Sequence, residues 1–263
     1  RDRSVSRGLG DVYKRQFHPN PDLQDCVAGA ALYQEKGCDG LISIGGGSAM
    51  DTAKGIKALL MTDIAHVRAN QLPPEGKVPH LAIPGTAGTG AETTAVAVLY
   101  EDGQKLSVDH PALLPDGVLL DGSLLDTLPE YHRKSCAMDA LAQGIESWWA
   151  KKATPGSRIH AERAIRGVLD NLTAYLQGDR KAQDEMLHAA YESGVAILTT
   201  RTTAAHAMSY QITKKLGAAH GHACMLTLPH LWAHLAAQAE YQPMLTELAH
   251  ILGGEKPMDL SLI

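Results

Sequence analysis

Between residues 17 and 128, short apolar runs alternate with stretches of helical periodicity. Residues 40–44 (GLISI) form an apolar run that ends in Gly45-Gly46-Gly47, and Ser48 then opens an amphipathic segment reaching about Leu60. Residues 80–83 (HLAI) repeat the scheme, followed by Pro84-Gly85-Thr86 and by Thr89-Gly90-Ala91-Glu92. Residues 95–100 and 117–120 supply two further candidate strands. Strand, glycine turn and helix in succession are the βα grammar of a nucleotide-binding sheet. Beyond Pro129 the strand signals stop, and residues 131–151, 157–176, 181–200, 204–216 and 224–240 read as helices. The pattern predicts an α/β, Rossmann-like dinucleotide-binding domain over residues 17–128 and an all-α domain over residues 129–259.

The two ends differ in character from what lies between them. Residues 1–16 carry five arginines or lysines and no periodicity of either kind. They resemble translated adapter sequence, as do residues 260–263 at the other end. Both stretches are expected to be non-native.

Composition narrows the class of partner. The chain has 263 residues, with 24 Lys+Arg against 29 Asp+Glu and a net charge of -5. That acidic balance, with no clustered basic face, argues against a nucleic-acid partner. No run approaches the roughly 18 apolar residues of a membrane helix, so no membrane partner is expected and the protein is predicted to be cytoplasmic. Cys26, Cys38, Cys136 and Cys224 form no CxxC pair and read as reduced, mostly buried thiols.

The turn Gly45-Gly46-Gly47-Ser48-Ala49-Met50-Asp51 has two readings. Glycines allow close approach of the backbone, and a helix N-terminus offers N–H donors at its positive end, so a phosphate fits. Alternatively it is a tight strand-to-helix connection closed by a Ser48/Asp51 capping box. A second turn of small and hydroxyl residues, Thr86-Ala87-Gly88-Thr89-Gly90, favours the first reading, since two such turns after neighbouring strands frame one diphosphate cofactor.

The helical half carries a metal signal. Asp139 and Gln143 lie four apart, on one face of a predicted helix, with Glu146 close to that stripe. His206 falls in the helix TTAAHAMSY, and His220 follows the expected turn at Gly217. A lone helical histidine is usually a packing or surface residue. One carboxylate and two imidazoles from separate elements supply three ligands and leave a position open for a substrate oxygen.

Taken together, Gly45-Gly46-Gly47-Ser48-x-x-Asp51-x-Ala53-Lys54, Pro84-x-Thr86-Ala87-Gly88-Thr89-Gly90-x-Glu92, Asp139-Ala140-Leu141-x-x-x-Ile145-Glu146, His206 and His220-Gly221 resemble the iron-containing (group III) alcohol dehydrogenase family. The order and gaps agree from about Phe17 to Leu231. Lys105-Leu106-Ser107, His110-Pro111-x-Leu113-Leu114-Pro115-Asp116, Gln143, and the run from Thr202 to Tyr210 look most like the phosphonoacetaldehyde reductases of that family.

The resemblance implies a dehydroquinate synthase-like fold, with a dinucleotide-binding domain, a helical domain and a divalent metal between them. By the family pattern Gly46, Gly47 and Ser48 hold the pyrophosphate of NAD(P)H, Thr86 and Thr89 line the diphosphate and nicotinamide ribose, and Asp51 and Lys105 lie near the nicotinamide. Asp139, His206 and His220 would bind Fe2+ or Zn2+, with Gln143 where most members have a fourth ligand histidine. The implied reaction reduces a small aldehyde to an alcohol, most specifically phosphonoacetaldehyde to 2-hydroxyethylphosphonate. Tyr210 or His222 would serve the proton relay, and Arg201, Thr202 and Ser209 would meet an anionic substrate group. Another short-chain alcohol or aldehyde, or an inactive fragment, is the alternative. The family pattern also implies a homodimer, a further strand and helix before Phe17, and further helices after Asp259. Residues 17–259 therefore read as an internal piece of a longer enzyme.

Overall fold

The computed structural model describes residues 21–74 and 78–256. The terminal stretches 1–16 and 260–263, expected to be non-native, lie outside the described residues, as do both outer limits of the two expected domains. The chain forms two compact units, one running to Ile83 and resuming over Ala95–Leu119, the other comprising Pro84–Thr94 and the chain from Leu120 onward.

In the first unit, α1 (Leu23–Lys36) starts at Asp22, whose carboxylate accepts from the Gln24 N–H, and stops at Gly37 in the left-handed region. It packs on α2 (Gly47–Met61), where Gly55 lies against Cys26 and Leu99. A short helix, α3 (Ile64–Arg68), follows. Strands β1 (Leu41–Gly45), β2 (His80–Pro84) and β5 (Gly117–Val118) form a sheet in the order β1-β2-β5. β2 and β5 run parallel, with Leu81 opposite Gly117. Ile42 and Ile44 are exposed on β1, which is a sheet edge among the described residues.

The sequence pattern predicts strands over residues 95–100 and 117–120 but none between them. The structure pairs β3 (Val96–Glu101) with β4 (Gln104–Asp109) as an antiparallel hairpin. Asp102 and Gly103 form its two-residue turn, with φ of 50° and 72°, the geometry that matches the twist of hairpin strands. Leu23, Cys26, Ala58, Leu99, Val108 and Leu113 are buried together between the hairpin and the helices.

The second unit is helical, as the pattern predicted. Its helices are α4 (Glu130–Trp149), α5 (Pro155–Leu176), α6 (Arg180–Thr200), α7 (Ala204–Leu216), α8 (His220–Ala236) and α9 (Gln242–Ile251). α5 opens with a capping box between Thr154 and Ser157, and Gly217 ends α7 in the left-handed region. Two boundaries differ from expectation. α8 begins at His220 rather than Cys224, because a glycine in the first helical turn is tolerated and, at Gly221, required by packing; α9 has no counterpart in the sequence reading. Ile145, Ile165, Met186, Leu187, Trp232, Leu245 and Leu248 lie in one core. Among the described residues no helix is long and apolar enough to cross a membrane. None of the four cysteines forms a disulfide; Cys26 and Cys224 are buried, whereas Cys38 and Cys136 are half-buried.

Candidate functional site

α4 carries two buried carboxylates seven residues apart, Asp139 and Glu146, which two helical turns bring onto one face. His206, in the first turn of α7, is held between them. Its Nδ1 is hydrogen-bonded to Glu146 Oε2, and its Nε2 lies 3.2 Å from Asp139 Oδ1. The other Glu146 oxygen accepts from the Thr203 hydroxyl, the Thr203 N–H at 3.1 Å and the Ala205 N–H at 2.9 Å. One carboxylate thus caps α7 and aims its histidine.

His220 reaches the same point from α8. A Cβ on Gly221 would fall 1.9 Å from the Ser135 carbonyl oxygen and 2.9 Å from Asp139 Cβ, so only glycine lets α8 lie this close to α4. Ser209 Oγ donates to the His206 carbonyl at 2.7 Å and lies 3.1 Å from His220 Nδ1, from which it accepts. His220 Nε2 is then left facing Asp139 Oδ1 at 3.8 Å.

With both Nδ1 atoms committed as donors, two imidazole lone pairs and a carboxylate oxygen converge. Such a set is mutually repulsive unless a proton or a metal ion lies among them. Burial alone would lower the His206 imidazole, yet its hydrogen bonds with Asp139, Cys224 and Glu146 carry it well above its ordinary value. Burial would likewise raise the Asp139 carboxyl, but His220 and His206, with the Gln143 amide, hold it below the usual carboxylate range. The donor chemistry fits a divalent ion such as Fe2+ or Zn2+. Cys224, one turn after His220 on α8, completes a group in which the ligand atoms of Asp139, His206, His220 and Cys224 all lie within 4.8 Å of one another.

The remaining expected site residues divide. Tyr210 stands beside this group, its ring 5.6 Å from that of His220. His222 does not join it: two residues along a helix turn a side chain to the opposite side, and His222 is exposed, with Nδ1 3.1 Å from the Tyr131 hydroxyl. Ser209, expected on the substrate, is fully buried and serves the two histidines instead. Arg201 ends α6 with φ of 63°, and Arg201 and Thr202 are half-buried. Gln143 Nε2 donates to the Thr89 carbonyl at 3.2 Å and its Oε1 accepts from Ser193 Oγ at 2.8 Å. This amide ties the turn after β2 to α4 and α6, and its oxygen is already engaged.

That turn is packed as tightly as its glycines suggest. A Cβ on Gly88 would meet the Cys136 backbone at 2.8 Å, and one on Gly90, which has φ of 57°, would meet Gly194 Cα at 2.6 Å. Thr86 is hydrogen-bonded with the Cys136 thiol, which burial pushes up to about 12. Thr89 Oγ1 accepts from the Ala91 N–H at 3.3 Å.

In the first unit, Gly46 is the N-cap of α2 and no side chain caps the helix, so the first-turn N–H groups around Gly47 and Ser48 point outward from its positive end. The Ser48/Asp51 capping box does not form. Asp51 Oδ2 instead accepts from the Val98 N–H at 3.1 Å, joining α2 to the hairpin. Burial pushes the Asp51 carboxyl up to about 6, against the lowering influence of Lys54 and Lys105. Lys54 is fully buried and donates to the Val96 carbonyl at 2.9 Å.

Glu146, Cys224 and Gly221 were the site residues whose roles sequence reasoning missed. Their signals were present as spacings: seven residues from Asp139, four from His220, and next to His220.

Comparison with known proteins agrees with this architecture. Residues 5–122 match the family model for the iron-containing alcohol dehydrogenase, and residues 134–261 match that for the C-terminal part of the Fe-containing alcohol dehydrogenase family. The chain is 36% identical over 230 residues to a phosphonoacetaldehyde reductase of Streptomyces viridochromogenes, covering 81% of this chain and 58% of that protein. It is 35% identical over 216 residues to the probable alcohol dehydrogenase EutG of Escherichia coli, covering 80% of this chain and 54% of that protein. The chain thus spans little more than half the length of these relatives. A sulfoacetaldehyde reductase from Bifidobacterium kashiwanohense, solved in complex with NAD+, superposes with a TM-score of 0.84 at 30% identity, covering 92% of this chain and 65% of that one. The chain belongs to the iron-containing alcohol dehydrogenase family.

Proposed function

We propose that the protein reduces a small aldehyde to an alcohol with NAD(P)H and one divalent metal ion, the preferred substrate being phosphonoacetaldehyde. The observation that carries this reading is the convergence of Asp139 Oδ1 with His206 Nε2 and His220 Nε2, both imidazoles oriented through their opposite nitrogens by Glu146 and Ser209. When bound, the ion acts as a Lewis acid on the substrate carbonyl and the reduced nicotinamide is the hydride source. The chain's own residues do the rest. Asp139, His206 and His220 hold the ion, and Tyr210, against the His220 ring, keeps a phenolic proton beside the reacting oxygen. The outward N–H groups at Gly46, Gly47 and Ser48 hold the cofactor pyrophosphate, Thr86 and Thr89 line it, and Asp51 and Lys105 lie toward its nicotinamide.

Support for an anionic substrate comes from two relatives whose names denote an acetaldehyde bearing a tetrahedral anionic group, with Arg201 and Thr202 near the start of α7 as its partners. The similarity to EutG, a probable alcohol dehydrogenase, supports a different alcohol or aldehyde equally well, so specificity is the point to test. Metal-loaded protein should oxidise NADH or NADPH with phosphonoacetaldehyde at a higher kcat/KM than with propionaldehyde. Equal values would leave general aldehyde reduction; no turnover with any aldehyde would overturn the reading.

A further inference from the structure

We propose that the Cys224 thiolate is the fourth protein ligand of the metal, taking the place that an imidazole at position 143 would hold. This rests on the metal reading of the site above. Two observations carry it. The first concerns position 143, one turn from Asp139 on α4, where a fourth donor from this helix would stand. Its amide already serves three partners: the Thr89 carbonyl, the Ser193 hydroxyl and the Asp139 carboxylate. The amide is a brace for Asp139 and for the turn, and a weaker donor than imidazole in any case.

The second is the placement of Cys224. It lies one turn after His220, so both side chains leave the same face of α8, and it is fully buried. Its sulfur falls within 4.8 Å of the donor atoms of Asp139, His206 and His220. A tetrahedral ion with bonds of roughly 2.0–2.3 Å needs donors about 3.3–3.8 Å apart. The two histidine nitrogens already lie 3.2 and 3.8 Å from Asp139 Oδ1, so a small inward movement of the sulfur completes four protein donors, and a substrate oxygen would enter as a fifth. On binding, the thiol releases its proton to solvent. Two anionic donors then balance the ion's two charges, and the soft sulfur favours Zn2+ or Co2+ over Fe2+.

Co2+ tests this by spectroscopy, without reference to turnover. Protein stripped with chelator and reloaded with Co2+ should show an intense near-ultraviolet sulfur-to-metal charge-transfer band, about one ion per chain. The band should vanish in Cys224→Ser and persist in Cys136→Ala, whose thiol lies one turn before Asp139 on α4 and outside the donor group. Zn2+ affinity in Cys224→Ser should fall by more than the roughly 10–100-fold that loss of an outer partner costs. Bound Co2+ showing only its weak visible bands in the unmodified protein would overturn the Cys224 assignment while keeping the metal site. Failure to take up Co2+ or Zn2+ at all would overturn the metal reading, and this proposal with it. Because the unmodified protein's own spectrum decides the matter, a variant that fails to fold does not blunt the test.

Discussion

Gly221 lies against Ser135 so closely that a Cβ there would fall 1.9 Å from the Ser135 carbonyl oxygen. The residue after a metal-site histidine therefore sets how near that histidine comes to Asp139. Gly221→Ala must push α8 away from α4, and overpacking of this kind typically costs about 1–3 kcal/mol. The lower urea midpoint should come with weakened metal binding, since His220 rides on the displaced helix. Metal affinity equal to that of the unmodified protein would show that the contact is relieved elsewhere.

Glu146 orients His206, and Glu146→Gln keeps the shape while removing the charge. The expected result is about a 10–100-fold loss of metal affinity, measured by competition with a coloured chelator, with the helical far-ultraviolet spectrum preserved. An unchanged affinity would mean that His206 is aimed by packing alone.

In the first unit, two buried groups give opposite pH dependences. Asp51 is raised from 3.8 to about 6 by burial, so its contribution is fully present below about pH 4 and is lost as pH rises through 6. His80 is lowered from 6.5 to about 4 by burial and by Lys57 and Lys54, so the folded state resists its protonation and stability grows as pH rises from 4 to 6.5. Each shift of about two units corresponds to roughly 3 kcal/mol. In chelator-treated protein, Asp51→Asn should make unfolding free energy climb with pH across this window, and His80→Gln should make it decline. Parallel profiles for the two variants would refute the assignment.

Much of this site was legible because its chemistry is carried by spacing. The glycine turn after β1, Asp139 on a helix, and the two histidines stand where their periodicity and neighbours put them. What escaped was the set of groups that act at a distance in sequence. Glu146 reads as one more polar residue until His206, 60 positions later, is folded against it. Ser209 looks like a free hydroxyl beside a histidine, yet its position three residues on lets it bond the His206 carbonyl and reach His220. β4 was missed because its sequence, QKLSVD, is half polar and exposed, although Asp102-Gly103 marks a hairpin turn. The expected capping box failed for a tertiary reason: Asp51 finds the Val98 N–H of the hairpin instead of its own helix end.

Gln143 gives the last prediction, because its two plausible roles separate cleanly. If its amide is a ligand, Gln143→Ala should empty the metal site. The hydrogen bonds point the other way: Nε2 is on the Thr89 carbonyl and Oε1 on the Ser193 hydroxyl, both inside the helical unit. Truncation leaves the Thr89 carbonyl without that partner, at a cost of about 1–3 kcal/mol, and takes one hydrogen bond from Asp139, while the Ser193 hydroxyl keeps the Ala190 carbonyl and the converging nitrogens and carboxylate oxygen stay in place. The expected variant therefore binds close to one metal ion per chain by elemental analysis, yet unfolds at lower urea. Gln143→Glu sharpens the distinction. A carboxylate there loses the donor to Thr89 and sets a second anion beside Asp139, so stability should fall further unless metal is bound. If Gln143→Ala instead retains full stability and loses its metal, the amide is a ligand and the brace is the wrong description.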